Sequence, residues 1–185
     1  LEWQRGCATA VMACVGKHFP GHGGVAPDSH LSAAEDPRAI ADLEHADLLP
    51  FRRLIDNGLA AVMLAHLVFP AVDSQPVGFS APWVRYLRGA LGFGGAIFSD
   101  DLEMAAAAVA GDLQARILAA LRAGCDMAIV GNAGRAIDPL LEHLPAPDPR
   151  AALRLARMHG RGGETLSALY ARPEYQTARA MLGEI

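Results

Sequence analysis

Four times along the chain a run of four to six apolar residues ends in polar ones, and a helical stretch follows. The runs read MACVGKH (12–18), LAAVMLAH (59–66), GGAIFSD (94–100) and CDMAIVGN (125–132). Each has the length of a strand buried on both faces in a parallel sheet. Between them, Asp36-Pro37 opens a helix that Asn57-Gly58 closes, and Ser80-Ala81-Pro82 opens another that runs to Gly92. Residues 112–123 give a third helix ending at Gly124, and 134–143 a shorter one. Strands alternating with helices predict an α/β fold with parallel strands. The polar residues sit after the strands: Lys17 and His18, His66, Ser99 with Asp100 and Asp101, and Asn132. In a (β/α) barrel that end of the strands is the active face. A doubly wound sheet also binds ligands there, but it usually shows a glycine-rich phosphate turn. Here GFGG (92–95) precedes a strand and does not follow one. The pattern therefore favours a (β/α) barrel over a doubly wound sheet; four strand–helix units are visible, and a closed (β/α)8 TIM-type barrel needs eight.

Composition fits one globular body. The 185 residues are 52% hydrophobic and 19% charged, enough for a real core and too apolar for a disordered chain. A net charge of −4 and 6% aromatic residues leave neither a basic face nor a stacking platform for nucleic acid. The longest apolar stretch, LAAVMLAHLVFPAV, is too short to span a membrane and contains His66. Cys7, Cys14 and Cys125 are odd in number and widely spaced, which fits a reducing compartment. The first residue is Leu1 and not Met, so a piece of a longer chain or a processed product is expected. From residue 148 the pattern changes. DPRAALRLARMHGRGG has helical spacing with arginines on one side, and a further helix over 163–183 follows. Residues 1–147 are thus expected to form the barrel part and 148–185 to pack on it as surface helices, with the arginines as a solvated face.

Two segments can do chemistry. Residues 17–30, KHFPGHGGVAPDSH, hold three histidines, a lysine and an aspartate, and Pro20, Gly21, Gly23, Gly24 and Pro27 make them a structured loop. A stiff polar surface loop is the bland reading. Metal binding by His18, His22, His30 and Asp28 is a second, but Pro20 and Gly21 remove the helix that would align two histidines. Acid–base chemistry is the third. Asp28, two residues from His30, can fix its tautomer and make its other nitrogen a proton shuttle. Ser29 lies in no nucleophile elbow. The other segment is IFSDDLEM (97–104). Asp100 is expected to face the barrel mouth, as nucleophile or electrostatic stabiliser, while Asp101 turns away or caps the next helix. The alternative is that both carboxylates are caps. Fifteen of the sixteen basic residues are Arg, and the lone lysine is Lys17, which suits a site needing a compact cation.

KHFPGHGG…DSH followed by IFSDDLEM resembles the family 3 glycoside hydrolases. The similarity is greatest to the bacterial cytoplasmic β-N-acetylglucosaminidases of NagZ type, which act in peptidoglycan recycling. It continues through MLAHLVFPAVD and AGCDMAIV, covers most of residues 10–145 and weakens in the tail. The resemblance implies that Asp100 is the nucleophile, His30 the general acid/base, Asp28 its partner, and Lys17 and His18 contacts to sugar hydroxyls. It implies retaining hydrolysis of terminal β-linked N-acetylglucosamine from muropeptides or glycans through a covalent glycosyl-enzyme. It implies no metal and no organic cofactor, a cytoplasmic location, and no nucleic-acid or membrane partner. Gly24 departs from the Asp or Ala frequent after Gly-His-Gly in the family. Family members are nearly twice as long, and this chain matches their C-terminal half. The expected partner is therefore the N-terminal barrel half or a second copy. Two other functions fit the same residues: a non-autonomous half-barrel or binding remnant, and a β-N-acetylglucosaminide phosphorylase.

Overall fold

Every one of the four apolar runs contains a strand. The computed structural model describes residues 1–25, 34–160 and 163–183. Its strands are β1 (Val15–Phe19), β2 (Ala34–Glu35), β3 (Ala61–Leu64), β4 (Leu67–Phe69), β5 (Asp73–Pro76), β6 (Ala96–Asp101) and β7 (Met127–Ile129). The four expected strands form one sheet in the order β1-β3-β6-β7, and each neighbouring pair is parallel. Strands that neighbour in chain order, with helices between them, make consecutive units of a (β/α) barrel. Apolar runs suit this sheet because its strands are covered on both faces: Ala61, Val62 and Leu64 of β3 have no exposure.

A second sheet, β2-β4-β5, was not expected. β4 pairs parallel with β2 and antiparallel with β5. It hides in the sequence because β3 and β4 belong to one apolar stretch, broken only at Ala65-His66, where no polar or turn residue cluster marks the break.

The helices are α1 (Glu2–Thr9), α2 (Ile40–Glu44), α3 (Leu48–Asp56), α4 (Ala81–Gly89), α5 (Leu113–Ala123), α6 (Asp138–Leu141), α7 (Pro149–Ala156), α8 (Leu166–Ala171) and α9 (Pro173–Leu182). The caps of α4 and α5 are as expected. Ser80 Oγ accepts from the Trp83 amide, Asp112 accepts from the Ala115 amide, and Gly124 ends α5 at φ 112°, where a side chain would be strained. Three expectations need correction. The helix between Asp36 and Asn57 is two, because Pro50 has no amide to donate and fits only in the first turn of a new helix. The helix expected over 163–183 breaks at Arg172, whose backbone is extended ahead of Pro173. The helix expected to reach Gly92 stops at Gly89.

The core is built around Trp83 of α4, which meets Phe19 and Phe69 edge-to-face at 5.8 and 5.2 Å, while Phe51 of α3 meets Phe19 at 5.3 Å. At the N-terminal end of the sheet, Asp126 is 3% exposed and holds three donors. Arg88 of α4 reaches Oδ2 at 2.8 Å, Arg154 of α7 reaches Oδ1 at 2.6 Å, and the Ile97 amide donates to Oδ2. The expectation of a purely solvated arginine face is thus corrected. Arg154 crosses to a buried carboxylate and ties the tail to β6 and α4.

Among the described residues, β1 and β7 each have one unpaired edge. An apolar cleft lined by Ile117, Leu121, Val130, Leu140, Leu144 and Leu155 lies beside β7. None of the described helices is long and apolar enough to cross a membrane.

Candidate active site

β1 and β6 are not neighbours; β3 lies between them, and its last residue is Leu64. Side chains at the C-terminal ends of β1 and β6 nevertheless meet across the end of β3. His18 of β1 and Asp100 of β6 do so, with His18 Nε2 3.6 Å from Asp100 Oδ2. Both side chains remain partly open to solvent, at 31% and 16%. The other carboxylate oxygen, Oδ1, accepts from the Asp101 amide at 2.9 Å. That contact fixes the plane of the Asp100 carboxylate and leaves Oδ2 toward His18 and the opening. Lys17 precedes His18 on β1 and is exposed.

Alternation along β6 separates the neighbours of Asp100. Ser99 is fully buried and points away from the site, its Oγ accepting from the Ile129 amide of β7 at 2.9 Å. Asp101 does turn away, but it caps a turn and no α-helix. Its Oδ1 accepts from the amides of Glu103 and Gly131, and a short 3-10 segment, Ala105–Ala110, follows. Glu103 accepts from the Asn132 amide, so the loops after β6 and β7 are stitched together. Arg116 of α5 donates to the carbonyls of Gly111 and Leu102 and holds the same loop from outside.

Under the loop that follows His18 lies a triad that the sequence did not reveal. Asp36 is 2% exposed and accepts from Arg38 Nε and Nη2 at 3.0 and 2.6 Å, while Arg38 Nη1 reaches Asp47 at 2.6 Å. The Arg38 hydrogen bonds hold the Asp36 carboxyl below its usual range against the opposing effect of burial. Asp36 is therefore an ion-pair centre and not the opener of a helix; α2 begins four residues later. The loop packs directly on this triad. A Cβ at Gly21, which has φ 143°, would fall 2.5 Å from Asp47 Cβ, and one at Gly24 would collide with Arg38. Gly24 is thus the residue that lets the loop sit on the guanidinium.

The site residues named from sequence divide as follows. Lys17, His18 and Asp100 lie at the C-terminal end of the parallel sheet, and His18 and Asp100 are brought together. Asp28 and His30 lie outside the described residues, as do Pro27 and Ser29.

Comparison with known proteins gives the family. Residues 2–157 match the family model described as the glycosyl hydrolase family 3 N terminal domain. A beta-hexosaminidase of Alkalilimnicola ehrlichii is 55% identical over 160 residues, which is 86% of this chain and 46% of that protein. One from Thioalkalivibrio sulfidiphilus is 50% identical over 189 residues, 100% of this chain and 53% of that protein. Among solved structures, NagZ from Neisseria gonorrhoeae in complex with N-trifluoroacetyl-D-glucosamine superposes with a TM-score of 0.86 at 42% identity, covering 97% of this chain and 52% of that one. The chain spans about half the length of the curated relatives it matches. With a parallel (β/α) sheet, a carboxylate and an imidazole at its C-terminal end, and a family match over most of its length, the chain belongs to glycosyl hydrolase family 3.

Proposed function

We propose that the chain carries the nucleophile-bearing half of a retaining β-N-acetylglucosaminidase. Its substrate is terminal β-linked N-acetylglucosamine on peptidoglycan fragments, in cytoplasmic cell-wall recycling. The observation that carries this reading is the pairing of Asp100 with His18 at the C-terminal end of the sheet. The identity to beta-hexosaminidases over nearly the whole chain supports it.

In this reading Asp100 Oδ2 attacks the anomeric carbon as the glycosidic bond breaks, giving a glycosyl-enzyme. His30, oriented by Asp28, protonates the leaving oxygen and then takes a proton from the water that hydrolyses the intermediate. Lys17 and His18 hold sugar hydroxyls. A histidine acid departs from the usual pair of carboxylates. It suits neutral pH because an imidazole titrates near pH 6.5 without a large upward shift. The fixed orientation of Asp100 by the Asp101 amide supports a nucleophile that does not reorganise during attack.

The test is release of nitrophenol from a nitrophenyl β-N-acetylglucosaminide by the chain, alone and with the N-terminal half of a relative's barrel. The anomer of the first product is read by NMR. Turnover that gives the β-anomer and needs no phosphate is expected. Inversion, dependence on phosphate, or no turnover with the second half present would overturn the reading.

A further inference from the structure

We propose that His66 is a positioning residue whose neutral imidazole holds the Asp101 carbonyl and thereby fixes the end of β6 that bears Asp100. His66 lies two residues past β3, the strand between β1 and β6. It has no solvent exposure. Its Nε2 lies 3.2 Å from the carbonyl oxygen of Asp101. A carbonyl only accepts, so Nε2 carries the hydrogen and Nδ1 is the bare nitrogen. Nδ1 is buried with no hydrogen-bond partner among the described residues.

The ring is packed on two sides. Phe79 lies against it with centroids 5.4 Å apart and planes 30° apart. On the Nδ1 side is Gly78, where an added Cβ would come within 3.1 Å of that nitrogen. The ring is thus confined between Phe79, Gly78 and the end of β6, with its one N–H aimed at Asp101. Packing alone does not require a histidine here, since a leucine would fill a fully buried space without leaving a bare nitrogen. The N–H is what a leucine lacks.

His66 lies against the backbone of both Asp101 and Asp100. The Asp101 amide donates to Asp100 Oδ1 at 2.9 Å, and the Asp101 carbonyl accepts from His66 and from the Met104 amide. The two groups flank the same Cα. A rotation that freed the carbonyl would also move the amide that sets the plane of the Asp100 carboxylate. The groups bearing charge toward His66 are Asp100 and Asp101, both favouring a proton, and burial outweighs them and keeps the imidazole neutral.

The test has two arms, and only the kinetic one rests on the hexosaminidase reading. In nitrogen-15 spectra of the chain with the second barrel half present, His66 is expected as the neutral Nε2–H tautomer from about pH 7 to 8. An Nδ1–H tautomer or an imidazolium in that range overturns the proposal. In the hexosaminidase assay with the second barrel half present, His66→Leu is expected to lower kcat by about tenfold or more while KM stays within about threefold. His66→Gln, whose amide can still donate, is expected to recover kcat to within about threefold of wild type. Wild-type kcat in His66→Leu, or equal losses in both variants, would overturn the proposal. If His66→Leu does not fold, the wild-type spectrum and His66→Gln decide. If the wild-type protein shows no turnover, the proposed function fails and the spectrum alone decides the role of His66.

Discussion

His18 and Asp100 face each other at 3.6 Å across the end of a strand to which neither belongs. Among the described residues, the Asp101 amide holds the Asp100 carboxylate at Oδ1. Its other oxygen, Oδ2, faces His18. Asp100→Asn keeps the shape and the Oδ1 contact but removes the negative charge. In the assembled enzyme it is expected to lower kcat by about a thousandfold or more with the folded state intact, since loss of a nucleophile costs several kcal/mol of barrier. Retention of more than about a tenth of the wild-type rate sinks the nucleophile assignment. Circular dichroism of the same sample checks the fold.

His30 is tested by its leaving groups. An acid matters most when the departing oxygen needs its proton. His30→Ala is expected to slow a disaccharide by about a hundredfold or more, and a dinitrophenyl glycoside by far less. Equal losses on both substrates mean that His30 positions the sugar and does not protonate it.

Asp126 and Arg154 separate a buried hub from one of its spokes. Asp126→Ala leaves Arg88, Arg154 and the Ile97 amide without their shared acceptor, two of them around a nearly buried position. The expected cost is about 3–5 kcal/mol of stability, the range for removing one partner of a buried pair. Arg154→Ala keeps the other two donors on Asp126, and Arg154 itself is 24% exposed, so about 1 kcal/mol is expected. Denaturant melts of both variants give the comparison. Equal losses would mean that the tail helix, and not the carboxylate, is what the cluster stabilises.

Burial of neutral His66 also makes stability depend on pH. Its pKa is lowered, first by burial, with Asp100 and Asp101 opposing. Below about pH 6.5 the unfolded chain takes up a proton that the folded imidazole refuses. The contribution of His66 is therefore full above about pH 6.5 and is lost as pH falls toward its folded pKa, at up to about 1.4 kcal/mol per pH unit. His66→Gln should flatten that part of the stability curve relative to wild type. Parallel curves for the two proteins would show that folded His66 accepts the proton.

The main sheet was legible because strands buried on both faces read as apolar runs, and their polar ends mark one face of the sheet. β2, β4 and β5 were not, since two to four residues carry no period and β4 continues the run of β3. Asp100 was legible from its place after a buried strand. That Ser99 points the other way follows from strand alternation. Asp36 misled because an Asp-Pro pair looks like a helix opener, while its real partners, Arg38 and Asp47, are joined to it only by the folding of the loop. The sequence placed His66 at a strand end, but its donor role depends on Asp101, 35 residues away.

The last expectation concerns closure. The described sheet has four parallel strands with unpaired edges on β1 and β7, and a barrel of this type closes with eight. Open strand edges pair with other chains, and a large apolar surface is rare on a soluble monomer. Beside β7 lies the cleft lined by Ile117, Leu121, Val130 and Leu140, Met127 is 41% exposed, and Trp3 of α1 is 71% exposed. The chain spans about half the length of the curated relatives it matches, and the other barrel half is the surface expected to cover these edges. Residues 1–185 alone are therefore expected to dimerise or aggregate in light scattering. Co-expression with the N-terminal half of a relative is expected to give a soluble one-to-one complex in which both edges are protected from hydrogen exchange. A monodisperse 19.5 kDa monomer that unfolds cooperatively would show that the four-stranded unit is complete without a partner.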